Sequence, residues 1–345
     1  MFRTRFRMNK NLFLRIVNAL GQWSPYFTYR ANCSGRIGLS PLQKCTAAMR
    51  MLAYGTPADA LDEYLKIGKS TSLECMDKFA RGVIAVFGGE YLRRPTQEDI
   101  ERLLQVNESH GFPGMLGSID CMHWRWEKCP LAWRGQFTRG DYGVPTMILA
   151  ASQDIHIWHA FFGIAGSNND LNMLNQSPLF FDALKGKAPQ VQFSVNENEY
   201  STGYYLADGI YPEWAAFMKT IPHPQTEKHK LFAKHQEGAR KDVKRAFGVL
   251  QSRFTISVGK IMRACVILHN MIVEDERDQV NVHIDLNEIP GASFALPPEV
   301  NVGGNLCFAD VVRRKATIRA RPQHTQLKND LVEHIWSRSR NNHHT

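Results

Sequence analysis

Met115-Leu-Gly-Ser-Ile-Asp-Cys-Met-His-Trp124 is an apolar stretch with a single carboxylate, Asp120, set into it. A second stretch has the same design: Gly203-Tyr-Tyr-Leu-Ala-Asp-Gly-Ile-Tyr-Pro212 closes a short apolar run on Asp208. Each reads as a buried strand ending at or near an aspartate. Neighbouring strand ends in one sheet bring such groups within reach of a shared cation. Two carboxylates in one site repel unless a cation such as Mg²⁺ or Mn²⁺ neutralises them. Two metals held this way activate a water and stabilise the leaving oxygen of a phosphodiester, but several carboxylates must converge from different segments. The next segment on offer, the helical run Gly238–Phe254, presents Lys244 on its polar side. The plainer reading of each aspartate is a turn cap.

Around these stretches the pattern is mixed. Thr146–Ala151 and Ile155–Ile164 are short runs rich in β-branched and aromatic residues, separated by Ser152-Gln-Asp154. With Met115–Trp126 they predict an antiparallel meander. Pro212–Thr220 and Gly238–Phe254 read as helices, and 325–336 as a terminal helix carrying Leu327, Leu331, Ile335 and Trp336. Residues 280–325 are rich in Pro, Asn and Gly and read as an extended tail. Strands followed by a strand and helices fit an α/β layer fold.

The N-terminal third reads as all-α. Leu12, Phe13, Ile16, Val17 and Leu20 recur at helical spacing. Residues 21–38 read as a loop. Ser40-Pro41 then opens a helix in cap-then-proline order, with Leu42, Cys45, Met49 and Leu52 as its stripe. Thr56-Pro57 opens a second helix, with Ala58, Leu61 and Leu65 inward. After the turn Ile67–Ser70, Thr71 and Glu74 predict a capping box for a third helix. Its expected stripe is Leu73, Met76, Phe79, Ala80, Val83 and Ile84, with Lys78 and Arg81 left outside. Helix, short turn and capped helix outline a helix-turn-helix. Lys69, Ser70 and Thr71 at the third helix's start, with Lys78, are its candidate phosphate contacts.

Charge placement supports a polyanionic partner. The 345 residues carry a net charge of +9, yet no Asp or Glu precedes Asp59. Nine of the 42 basic residues, among them Arg3, Arg5 and Arg7, lie in residues 1–58, leaving 33 to match the 33 acidic residues. An acid-free basic segment suits contact with DNA; a solvated surface and an Arg-rich transit peptide are the other readings. In the run Lys228–Arg245, Arg240 and Lys241 are candidates to face phosphates beside the aspartates, or to form a solvated helix face. Seven scattered cysteines with no Cys-x-x-Cys argue for a reducing compartment and against a disulfide framework. Cys121, His123 and Cys129 match no common zinc spacing. No apolar run is long enough to cross a bilayer, and Arg15 interrupts the one N-terminal apolar stretch, so neither a membrane nor a secretory signal is expected.

Taken in order, Gly117–Trp124, Ala165-Gly-Ser-Asn-Asn-Asp170, Tyr205–Pro212, Ala239-Arg-Lys-Asp-Val-Lys-Arg-Ala-Phe-Gly248 and Ile261–Asn270 resemble the Harbinger superfamily of DNA transposases. The resemblance is to its plant-transposon-protein branch, and it runs nearly the length of the chain. It implies a ribonuclease-H-like catalytic core with an Asp-Asp-Glu metal triad (DDE type) holding two Mg²⁺ or Mn²⁺ ions. The first two acids map to Asp120 and Asp208, the glutamate position falls on Lys244, and Asp170 is an accessory position or a helix cap. The interval from 208 to 244 fits the family's spacing. A lysine there repels the second metal or lies across the two aspartates in its place. The expected organisation is a basic helix and loop (1–37), a helix-turn-helix-like DNA-binding region (38–95), the core (111–275) and a tail with a terminal helix (276–345). The resemblance further implies nuclear placement, a possible Myb-like partner protein and possible oligomers. The expected function is DNA binding with impaired cleavage; an active nuclease completed by another carboxylate is the alternative.

Overall fold

In the computed structural model the described residues are 1–31, 33–125, 146–150, 155–161, 191–255, 259–281 and 320–342, with Leu131, Arg134, Gly135 and Thr138. The N-terminal part is helical: α1 (Phe2–Phe6), α2 (Lys10–Trp23), α3 (Pro41–Tyr54), α4 (Asp62–Leu65), α5 (Lys69–Tyr91) and α6 (Gln97–Ser109). The stripe of α2 is buried as its spacing requires. Helix α3 starts where the sequence sets it: Ser40 accepts from the Gln43 backbone N–H, and the Gln43 side chain answers the Ser40 N–H. It stops at Gly55, which takes a φ of 62° and returns its N–H to Met51.

Three local expectations fail. The Thr71–Glu74 capping box does not form. Helix α5 begins three residues earlier behind Gly68, with no side-chain cap, and the Ser72 hydroxyl turns inward to the Ile67 carbonyl. Leu42 and Leu73, expected in buried stripes, are exposed. The reason is that α5 packs against α2, α3 and a later helix at once, so its buried surface wraps the helix and includes Cys75, Gly82, Phe87 and Tyr91. The second expected helix is reduced to a turn over 58–61, with Ala58 and Leu61 buried, followed by the single turn of α4.

The strands form three small sheets: β1 (Met115–Ser118), β2 (Cys121–Arg125), β3 (Thr146–Ala150), β4 (Phe193–Val195), β5 (Asn198–Tyr200), β6 (Tyr204–Ala207) and β7 (Phe217–Lys219). The main sheet is parallel, in the order β1-β6-β7. Strands β2 and β3 pair antiparallel from Cys121↔Ala150 to Arg125↔Thr146. The meander stops there, since residues 155–161 form a turn and open chain. Residues 217–219, expected in a helix, instead extend beside β6. Strands β4 and β5 form a hairpin whose two turn residues, Asn196 and Glu197, both have positive φ, the backbone of a two-residue twist-matched turn. Asp330 ties it down, accepting from Asn198 Nδ2 (2.9 Å) and from the Tyr200 hydroxyl.

Among the described residues three long helices follow: α7 (Glu227–Arg253), α8 (Gly259–Asn281) and α9 (Arg321–Asn342). Helix α8 returns into the N-terminal helices, where Met262, Cys265, Val266 and Ile272 join Phe13, Leu52, Phe79 and Val83 in one core. The fully buried Asn270 clasps this return. It accepts from the Ile157 N–H (2.8 Å) and donates to the carbonyls of Tyr91 (2.6 Å) and Ile157 (2.9 Å). A second core joins the parallel sheet to α9, through Met115, Tyr204, Leu206, Phe232, Leu327, Leu331 and Ile335. Helix α7 belongs to both: Phe232 lies in the sheet core, while Val243, Phe247 and Leu250 lie in the helical one.

Gly114 sets the entry to β1. Its φ is +78°, its carbonyl accepts from Tyr204 N–H (3.2 Å), and a Cβ there would lie 2.3 Å from the Phe193 ring. That ring is stacked on Tyr200 and packed in the sheet core. Gly114→Ala is expected to cost more than about 1 kcal/mol and to lower the thermal midpoint measured by circular dichroism. Gly248→Ala, in open space on α7, is expected to raise it, stabilising the fold by up to about 1 kcal/mol.

Candidate functional site: two strand-end aspartates bridged by an arginine

Strands β1 and β6 run parallel, so their C-terminal ends share one edge. Ser118 pairs with Leu206, and the Ile119 N–H donates to the Leu206 carbonyl at 2.9 Å. Continuing that register by two residues sets Asp120 opposite Asp208. Each carboxylate is oriented by the next backbone N–H: Cys121 donates to Asp120 Oδ1 (3.0 Å) and Gly209 to Asp208 Oδ1 (2.6 Å). The other oxygen of each faces one guanidinium. Arg240 Nη1 stands 3.3 Å from Asp120 Oδ2, and Arg240 Nη2 stands 3.3 Å from Asp208 Oδ2.

Helix α7 delivers that guanidinium through a clamp one turn earlier. Gln236 is fully buried, and its Nε2 donates to the carbonyls of Ala207 (3.2 Å), at the end of β6, and Met218 (3.1 Å), within β7. Residues four apart share a helix face, so Arg240 and then Lys244 follow Gln236 along the strand ends. Asp120 and Arg240 keep only 13% of their side-chain surface exposed, whereas Asp208 keeps 42%. Burial pushes the Asp120 carboxyl above its ordinary value. Arg240, the Cys121 N–H and Lys244 oppose that rise, and the charge of Asp208 adds to it. Two carboxylates and two cations make the cluster electrically neutral. The nearby acids on α7 are engaged elsewhere: Asp242 pairs with Arg245 (3.2 Å), and Glu237 accepts from the Thr220 hydroxyl (3.3 Å). Among the described residues no three His, Cys, Asp or Glu side chains come together as a metal-binding group.

The structure thus brings together Asp120, Asp208 and the Lys244 position, and it changes which cation lies between the acids. The bridge expected of Lys244 is made by Arg240. Lys244, one turn on, is exposed and acts on Asp120 through its field. The signal available in the sequence was the spacing Gln236, Arg240, Lys244, which places all three on one face. The other candidates are dispersed. Arg3 pairs with Glu276, Arg7 lies over the Tyr54 ring at 5.1 Å and Lys78 over the Tyr26 ring at 5.6 Å. Arg5, Lys69, Ser70 and Lys241 are exposed, and Thr71 is half-buried. Asp170 lies outside the described residues.

Residues 89–280 match the family of plant transposon proteins. The chain belongs to that family. No curated protein and no solved structure matches it. The part that matches the plant transposon family opens in the last turn of α5 and takes in both aspartates, all seven strands and α7. The helices before residue 89 lie outside it.

Removing the bridge tests its electrostatics. Because Asp120 holds its proton more tightly folded than unfolded, its contribution to stability falls as pH rises through the carboxylate range. Arg240→Gln removes the largest opposing charge, raises Asp120 further and deepens that fall. The variant is expected to lose on the order of 2–3 kcal/mol at pH 8 and less at pH 5, because uptake of a proton by the raised Asp120 carboxyl relieves the unpaired charge as pH falls. Thermal denaturation at the two pH values checks this; an equal loss at both would show that the pair carries no net electrostatic weight.

Proposed function

We propose that this chain is a Harbinger-type, transposase-derived protein that binds DNA and whose strand-cutting site has been neutralised. The observation that carries the reading is the guanidinium of Arg240, 3.3 Å from a carboxylate oxygen of each strand-end aspartate. The family, the parallel strands ending on Asp120 and Asp208, the antiparallel β2–β3 pair and the long helix over them support a ribonuclease-H-like, DDE-type ancestry. They also support assigning the third acidic position to Lys244.

The donor set does not fit two divalent ions. Mg²⁺ and Mn²⁺ ask for several carboxylate oxygens around near-octahedral shells. Here the two inward oxygens face Arg240, and the third position supplies an ammonium group. A doubly charged ion about 5 Å from a guanidinium meets roughly 7 kcal/mol of repulsion at an effective dielectric constant of about 20, so a metal must first displace Arg240 from both aspartates. No other carboxylate on α7 is placed to compensate. DNA binding is supported by the exposed Arg5, Lys69 and Ser70 and by the basic face of α7. Nuclear placement and a Myb-like partner belong to the same reading.

Nicking of supercoiled plasmid in Mg²⁺ and in Mn²⁺ tests it, beside a gel shift on duplex DNA. The chain is expected to shift DNA and leave the plasmid supercoiled. Metal-dependent nicking by the unaltered chain, abolished by Asp120→Asn, would show that the site still cuts and overturn the proposal.

A further inference from the structure

Along α7, Lys230, Lys234, Lys241, Lys244 and Arg245 fall within about 100° of the helix circumference and along about 22 Å of its axis. All are exposed, and between residues 230 and 245 the one acid in the stripe is Glu237. Lys234, Lys241 and Lys244 make no ion pair among the described residues. The pairs Lys230–Glu227 (2.8 Å) and Arg245–Asp242 (3.2 Å) are solvent-exposed contacts between near neighbours, the kind that contributes little and is easily exchanged.

Clefts flank the stripe on both sides. One, of about 430 Å³, opens toward Thr220–Pro224 and is lined by Lys230, Lys234, Lys241 and His223. The other, of about 340 Å³, opens toward α9, shares Lys230 and Lys234, and adds Arg340. The field here is positive: burial, then Lys234 and Arg338, hold the His235 imidazole below its ordinary value. Gly238 and Gly248 lie on or beside the same face, with nothing within 4 Å of where a Cβ would be. A glycine inside an exposed helix costs about 0.5–1 kcal/mol, and packing does not explain these two. A bare backbone lets a ligand approach closely.

We propose that this face of α7 is the track for the phosphate backbone of duplex DNA, leading it across the strand ends that carry Asp120 and Asp208. The inference rests on the DNA-binding reading above and names the surface that does the binding. Duplex DNA presents one phosphate per about 3.4 Å of axis on each strand, and each strand winds round that axis, so a straight stripe of about 22 Å meets about three or four phosphates of one backbone. A line of positive charge interrupted only by Glu237 suits such a row, and it passes beside the carboxylate cluster, where Lys244 at its edge acts on Asp120. The cations nearest that cluster then grip a phosphodiester that the site does not cut.

Fluorescence anisotropy with a labelled duplex, over a series of KCl concentrations, tests the track on the full chain. Replacing Lys234, Lys241 and Lys244 together with alanine is expected to flatten the plot of log affinity against log salt by about 2–3. Affinity at low salt should fall on the order of 10²-fold. Glu237→Lys is expected to tighten binding and steepen the slope by about 0.9, a gain that misfolding cannot produce. If the triple variant keeps the parent's affinity and slope while Arg5→Ala with Lys69→Ala loses them, the track is wrong and DNA binding stands. If the parent itself does not bind duplex DNA but holds poly-glutamate through the same lysines, the DNA reading fails as well.

Discussion

The parallel pairing of β1 with β6 is the constraint on which the site depends. Parallel strands present their C-terminal ends on one edge, so two aspartates about ninety residues apart in sequence become neighbours without any loop having to aim them. The pairing also creates an electrostatic problem, because one of the two carboxylates is largely buried. The chain answers with Arg240, whose planar fork reaches one oxygen of each acid. A lysine in the same place would offer a point charge and no such geometry. The bridge therefore gives α7, β1 and β6 a common polar anchor beside the purely apolar contacts of the sheet core.

Helix α7 couples this anchor to the rest of the molecule. Its first half packs on the sheet through Phe232, and its second half enters the helical core through Val243, Phe247 and Leu250. Gln236 fixes the register between them by answering carbonyls of two strands at once. A one-residue shift would bury Glu237 in its place and turn Arg240 away from the acids. The N-terminal helices are likewise not an appendage: α8 is buried among them, and Asn270 joins α8, the end of α5 and residues 155–161 through three hydrogen bonds. The helical core thus draws on residues as far apart in sequence as Met8 and Ile272.

The same packing changes the meaning of the N-terminal charge. An acid-free run of arginines and lysines reads as a surface for a polyanion, yet much of it is tied down internally. Arg7 and Arg50 lie over Tyr54, Arg15 donates to the Tyr91 hydroxyl, and Lys44 is buried and donates to the Tyr26 carbonyl. The exposed face of α7 keeps its lysines in water and in line. Positive charge counted along a sequence is therefore a poor guide to which cations the fold leaves exposed.

Local chemistry was legible in the sequence. The Ser40–Gln43 cap, the stripe of α2, the strands closing on Asp120 and Asp208, and the terminal helix each follow from short-range periodicity or capping, which depend on residues a few positions apart. What escaped was set by partners distant in sequence. Residues 217–219 extend because β6 offers a free edge; Leu73 is exposed because α5 is surrounded on its other sides; the 193–200 hairpin stands because Asp330 holds it. So too with the site: the strand pattern was enough to nominate two acids, and the resemblance to a transposase family to nominate Lys244 as the expected third position. Which cation lies between the acids depended on the rotation of α7 about its axis, and Gln236 sets that rotation by bonding to carbonyls on two strands that only tertiary packing brings together.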